Sequence, residues 1–181
     1  SGEVPLVLAW HFPNFVKYWG CDEDERAPQW KTHYADHFSD AMDVGSYICE
    51  NLSRLREETM QFHDDLFDST LPPQVLDAAS SQLSTLKSPT CLRLEDGTFY
   101  GFEGCSSLEG CCEGSCTHVW NYAQALPFLF PSLERSMRST DYEYNLREED
   151  GKMCFRLGLP RGNSEWESVA AADGQLGGVI K

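Results

Sequence analysis

Three glutamates in the middle of the 181-residue chain stand where a carboxylate can do chemistry. Glu103 follows Phe99-Tyr100-Gly101-Phe102 and precedes Gly104, while Glu109-Gly110 and Glu113-Gly114 repeat the dipeptide in a looser stretch. A carboxylate among aromatics at a strand end is held by a rigid element and partly desolvated, which suits a nucleophile or a general acid. The plainer use of Glu103 is to pair with an arginine or cap a turn. Spacing alone leaves all three glutamates in play. Just beyond them lies His118-Val119-Trp120-Asn121-Tyr122. Aromatic faces stack on sugar rings and amide or imidazole groups hydrogen-bond hydroxyls, so His118, Trp120 and Asn121 can recognise a small polyol. Ordinary core packing is the alternative. Asp173, at another predicted helix start, reads by itself as a capping aspartate.

Cysteine supplies the other constellation. Four of the eight cysteines, Cys105, Cys111, Cys112 and Cys116, fall within twelve residues. Their spacing is not that of paired zinc knuckles. Buried or half-buried thiols in a tight loop, with no metal, are the expectation; a binding module stapled by metal or disulfides on the Cys105–Cys116 loop is the alternative. His118 close by gives a weak hint of thiol chemistry.

The elements that must position these groups follow from hydrophobic period and punctuation. Residues 4–12 read as a short apolar strand ended by Pro13-Asn14, and Asp22-Glu23-Asp24-Glu25 as solvated loop. From Asp36 to Leu66, apolar residues recur at helical multiples and predict a long helix with one buried stripe. Pro73 opens a second helix from its first turn. Asp96-Gly97 between two apolar runs predicts a hairpin over 90–102. Thr117 or Ser115 is placed to cap a helix that Pro127 and Pro131 must kink or divide. Met153, Phe155, Leu157 and Leu159 alternate as a short strand, and a last helix begins near Asp173. Antiparallel helices with elaborated connections suit a mainly α bundle or toroid.

Composition removes whole function classes. Lys and Arg number 14 against 29 Asp and Glu, a net charge of 14 − 29 = −15. Such a chain lacks the basic face that nucleic acid or an anionic membrane surface requires. With 41% apolar residues it can build a core, yet it has no apolar run of about 18 residues to span a bilayer. Ser1-Gly2-Glu3 carries neither a start Met nor a basic n-region, and Gly177-Gly178-Val179-Ile180-Lys181 stops inside an apolar run. Both ends look cut, and the expectation is part of an acidic, soluble, cytoplasmic protein without a cofactor.

Longer motifs carry a resemblance. Ala9-Trp10-His11-Phe12-Pro13, then Asp96 through Gly104, Gly114 through Ala125, Phe128 through Met137, and Ala172-Asp173-Gly174-Gln175 occur in an order that resembles glycoside hydrolase family 116, most closely its uncharacterised microbial branch. That family contains β-glucosidases related to non-lysosomal glucosylceramidase. The resemblance implies a β-sandwich domain followed by an (α/α)6 toroid. Residues 1–35 would be the last strand of the sandwich with its linker, and 36–181 the opening of the toroid. It implies Glu103, rather than Glu109 or Glu113, as nucleophile of a retaining β-glycosidase acting on a small carbohydrate or glycolipid. The acid/base is an Asp in this family; nothing among residues 104–181 matches its motif, so the 181 residues alone are expected to be inactive. His118, Trp120, Asn121 and Asp173 would contact the sugar. The family's Asp-Val-His stretch is here Thr117-His118-Val119, a departure from the pattern.

Overall fold

The computed structural model describes residues 4–16, 29–104, 114–159 and 169–181. Helix predominates among them, with three two-stranded antiparallel sheets. Strands β1 (Asn14–Val16) and β2 (Gln29–Lys31) pair Asn14 with Lys31. Ahead of β1 the chain departs from the expected strand: residues 4–13 have no ladder, and Val4, Leu6, Leu8, Trp10 and Phe12 are exposed. A strand needs a hydrogen-bonding neighbour, and the described residues provide one only from Pro13 onward, where its carbonyl takes the Thr32 amide at 2.8 Å. Pro13 therefore precedes the pairing instead of ending it. The acidic run at 22–25 lies outside the described residues.

Helix α1 (Ala41–Phe67) forms within the stretch the period marked but starts after Asp36, which ends a 3-10 turn (His33–Asp36). Asp40 caps it by accepting from the Asp43 amide at 2.8 Å, and the Asp43 carboxylate returns to the Ser39 amide at 3.0 Å. This is a reciprocal cap with an acid at the positive helix end. Its stripe is not buried as expected. No α1 residue is fully buried, and Met42, Met60, Phe62 and Phe67 are exposed. Period decides that a helix forms; coverage depends on what packs against it. Here that includes Phe130, whose ring lies 5.9 Å from Phe62. Helix α2 (Pro73–Ser81) starts at Pro73 as expected and is followed by a 3-10 turn, Leu83–Lys87.

The hairpin β3 (Cys91–Arg93) and β4 (Phe99–Gly101) is the centre of the core. Gly97 takes φ +88 in its turn, and Asp96 accepts from the Thr98 amide at 2.9 Å. Alternate residues face two clusters. Tyr100 and Phe102 join Leu94, Leu157 and Leu159, while Phe99 joins Cys116, Trp120, Leu126 and Met137. Strand β5 (Ser115–Cys116) pairs with β6 (Arg156–Leu157), and Cys116 opposes Arg156. The proline-bearing helix is divided into α3 (Thr117–Asn121), α4 (Leu126–Leu129) and α5 (Pro131–Tyr144), with Pro127 and Pro131 each in a first turn. Cys116, rather than Ser115 or Thr117, caps α3: its sulfur accepts from the Val119 amide at 3.3 Å. Helix α6 (Ala172–Ile180) then lies across α3.

Candidate functional site

Glu103 leaves the end of β4 on a backbone fixed from both sides. A Cβ at Gly101 would fall 2.1 Å from the Trp120 ring, so only glycine lets the indole lie against the strand. The Trp120 Nε1–H donates to the Phe102 carbonyl at 3.3 Å, and its ring meets Phe99 edge-on. On the far side the Phe102 amide donates to the Thr90 carbonyl at 2.8 Å. Gly104 takes φ +63, with Thr90 so close that a Cβ would overlap it at 1.8 Å. Two glycines and one tryptophan thus set where the carboxylate points.

The Glu103 side chain is 31% exposed and forms an ion pair through Oε2 with the Arg156 Nη2. Arg156 is itself only 7% exposed, its guanidinium 5.1 Å above the Phe155 ring. Pairing with an arginine was one of the two plain uses open to this glutamate. Apolar alternation over 153–159 does not reveal the partner; the signal in the sequence is an arginine set between Phe155 and Leu157 in that alternating segment. Cys116 lies beside the pair. Burial pushes its thiol up, and the opposed charges of Arg156 and Glu103 act on it in addition. Burial also pushes the Cys91 thiol up to about 11. Neither thiol is activated in the way nucleophilic chemistry needs. Cys105, Cys111 and Cys112, with Glu109 and Glu113, lie outside the described residues.

His118 and Asp173 come together across α3 and α6. The His118 Nδ1 lies 2.7 Å from Asp173 Oδ2, and the Tyr122 hydroxyl donates to the same oxygen at 3.0 Å. Burial works to raise the Asp173 pKa, but the hydrogen bonds from Tyr122, the Gly174 amide and His118 outweigh it and hold the carboxyl below its ordinary value. Asp173 is therefore not the N-cap of α6, a place taken by Ala171. Tyr122 is a second residue that sequence reasoning left out of the site. The close approach of the helices is made by Gly174 against the Thr117 carbonyl and Gly177 against the Asn121 amide. Asn121 sits at that contact. Trp120, expected to offer its face to a sugar, is 5% exposed and supports β4 from below.

Beneath this layer is a sealed ionic network. The Arg138 Nε lies 3.0 Å from Glu134 Oε1, and its Nη1 3.0 Å from Asp141 Oδ2. The Lys181 Nζ donates to the Trp120 carbonyl at 2.7 Å and lies 3.3 Å from Glu134 Oε2. Burial pushes the Asp141 carboxyl up to about 6.

A cleft of about 500 Å3 opens at the turn end of the hairpin, bordered by Trp30, Lys31, Leu94 and Asp96, whereas Glu103 stands at the opposite end. Among the described residues no group of three or more His, Cys, Asp or Glu side chains is placed to hold a metal ion. No helix among them is long and apolar enough to cross a membrane. No family model matches the chain, and no curated protein matches it.

Proposed function

We propose that this chain carries the nucleophile side of a retaining β-glycosidase site, with Glu103 as the nucleophile. The observation that carries the proposal is a partly exposed carboxylate on a strand end whose backbone is locked by Gly101, Trp120 and Gly104. A nucleophile that must meet an anomeric carbon within a few tenths of an ångström needs such a mount. The resemblance to glycoside hydrolase family 116 agrees in choosing the same residue. On this proposal residues 36–181 open an (α/α)6 toroid that follows a sandwich domain ending near residue 35. The substrate is a neutral β-linked sugar or glycolipid, in keeping with the −15 charge of the chain.

In the first step the Glu103 carboxylate forms a bond to the anomeric carbon while the leaving-group oxygen departs with its electron pair. A carboxylic acid about 5–5.5 Å away gives that oxygen a proton and then takes one from water. The resemblance assigns this second role to an Asp further along the family's sequence. His118, which Asp173 holds at 2.7 Å, would hydrogen-bond a sugar hydroxyl.

The experiment is covalent trapping. A 2-deoxy-2-fluoro-β-glucosyl fluoride, whose fluoride leaves without acid assistance, is expected to add one fluoroglucosyl mass to the peptide containing Glu103. The Glu103→Gln variant should not be labelled. Label on Glu109 or Glu113, or label surviving in Glu103→Gln, would overturn the assignment.

A further inference from the structure

Arg156 meets the Glu103 carboxylate from the neighbouring ribbon. Its burial is costly by itself: a guanidinium withdrawn from water is kept only where charge and hydrogen bonding answer it. Three features show that the arginine is held in one position. Its strand β6 is tied to β5 with Cys116 opposite Arg156, and the Thr117 amide next along donates to the Phe155 carbonyl at 2.9 Å. The guanidinium carbon lies over the Phe155 ring, 5.1 Å from its centre. Leu157, the next residue, is completely buried in the cluster around Tyr100 and Phe102, the residues that lead into Glu103. The arginine and the glutamate are thus anchored in one piece of core, and their ion pair joins two short ribbons that are far apart in sequence.

We infer that Arg156 is the positioning residue of Glu103: its ion pair holds the carboxylate in the orientation from which it attacks the anomeric carbon. The inference rests on the proposal that Glu103 is the nucleophile. A planar, always charged guanidinium presents fixed donors to a carboxylate, which a lysine ammonium on a flexible stem does not. Removal of Arg156 therefore acts on the bond-forming step and leaves sugar binding largely as it was.

The same fluoroglucosyl fluoride reads this out in the full-length protein, because the inactivation rate constant and the probe's dissociation constant separate in one titration. Bond formation from the Glu103 carboxylate to the anomeric carbon and departure of fluoride with the C–F electron pair need no other group to be changed. Arg156→Gln is expected to slow inactivation by about 100-fold, the usual cost of a misplaced reacting group, with the dissociation constant within about threefold. Arg156→Lys should fall between, roughly tenfold slow. Wild-type inactivation rates in Arg156→Gln would overturn the inference while leaving Glu103 as nucleophile. Absence of label on Glu103 in the wild type would overturn the nucleophile assignment itself. If Arg156→Gln does not fold, Arg156→Lys decides: a wild-type rate there refutes the positioning role.

Discussion

Among the described residues, two glutamate–arginine pairs within the core-forming half of the chain differ in what surrounds them. Glu103 meets Arg156 at the end of β4, and nearly a third of its side chain remains open to solvent. Glu134 meets Arg138 inside a network with Asp141 and Lys181 in which the two acids and the lysine are at most 3% exposed. On the proposed function, the difference separates chemistry from structure. A carboxylate that must touch a substrate keeps an open side and borrows rigidity from its backbone. One that only holds helices together is sealed, and its value depends on every partner being present. The first test sets the two against each other by stability. Glu134→Ala leaves Arg138 and Lys181 buried without that carboxylate, and should cost about 3–5 kcal/mol in urea denaturation. Glu103→Gln, which keeps an acceptor for Arg156, should cost about 1 kcal/mol. Equal losses would break the comparison.

The second test uses proton linkage within the sealed network. Asp141 has a folded-state pKa raised from 3.8 to about 6 by burial. The folded protein therefore binds this proton more tightly than the unfolded chain, so the contribution is present at low pH and is lost as pH rises from about 4 to about 6. Its full size is up to about 3 kcal/mol. Asp141→Asn is expected to remove that slope from stability measured between pH 4 and pH 6.5. Asp36 and Asp150, held below their ordinary values by Lys31 and Arg147, titrate in the opposite sense at lower pH and are common to both proteins. An unchanged slope would place the network's titration elsewhere.

Much of this arrangement was written in local sequence. Pro73, Asp96-Gly97, Pro127 and Pro131 act within a few residues, so the start of α2, the hairpin and the divisions of α3 to α5 were legible from punctuation, whereas the caps were not: Asp40, Cys116 and Ala171 hold those places. The choice of partners was not. Nothing local says that Arg156 meets Glu103, 53 residues away in sequence, or that Asp173 meets His118 rather than capping its own helix. The strand expected over 4–12 and the buried stripe of α1 failed for one physical reason: each is a surface pattern whose meaning depends on a second surface. Glu103 was legible as a candidate because its aromatic neighbours and flanking glycines are contiguous. Trp120 was misplaced, since an aromatic at a helix start reads the same whether it faces a ligand or a glycine.

The third test concerns the mount beneath Glu103. Alanine at position 101 would drive its Cβ to 2.1 Å from the Trp120 ring, inside a core where strand and indole are both fixed. Gly101→Ala is expected to cost about 2 kcal/mol from overpacking and to slow labelling of Glu103. Gly177→Ala is the control. Its Cβ would overlap the Asn121 side chain, at 1.5 Å from Oδ1 and 2.3 Å from Cγ, which must turn to another rotamer; this clash is away from Trp120, so the loss of labelling should be smaller. Equal effects on labelling would mean that Trp120 does not set the position of Glu103.

The smallest effect belongs to the exposed pair. His118 and Asp173 are 49% and 42% exposed, so the contact between them is solvent-screened and worth little to the fold. Asp173→Asn should leave the thermal midpoint at neutral pH within about 2 °C of wild type. The sign of any residual is fixed. The Asp173 carboxyl lies below its ordinary value in the folded state, so its contribution is present above about pH 4 and is lost on further acidification. A wild-type advantage that grows toward acid would contradict the assignment of Tyr122, Gly174 and His118 as its partners. Binding should respond where folding does not: on the proposed function, Asp173→Asn frees His118 to rotate and should weaken binding of the fluoroglucosyl probe by about fivefold, roughly one hydrogen bond. A midpoint loss as large as that of Glu134→Ala would show that exposure does not separate the site from the scaffold.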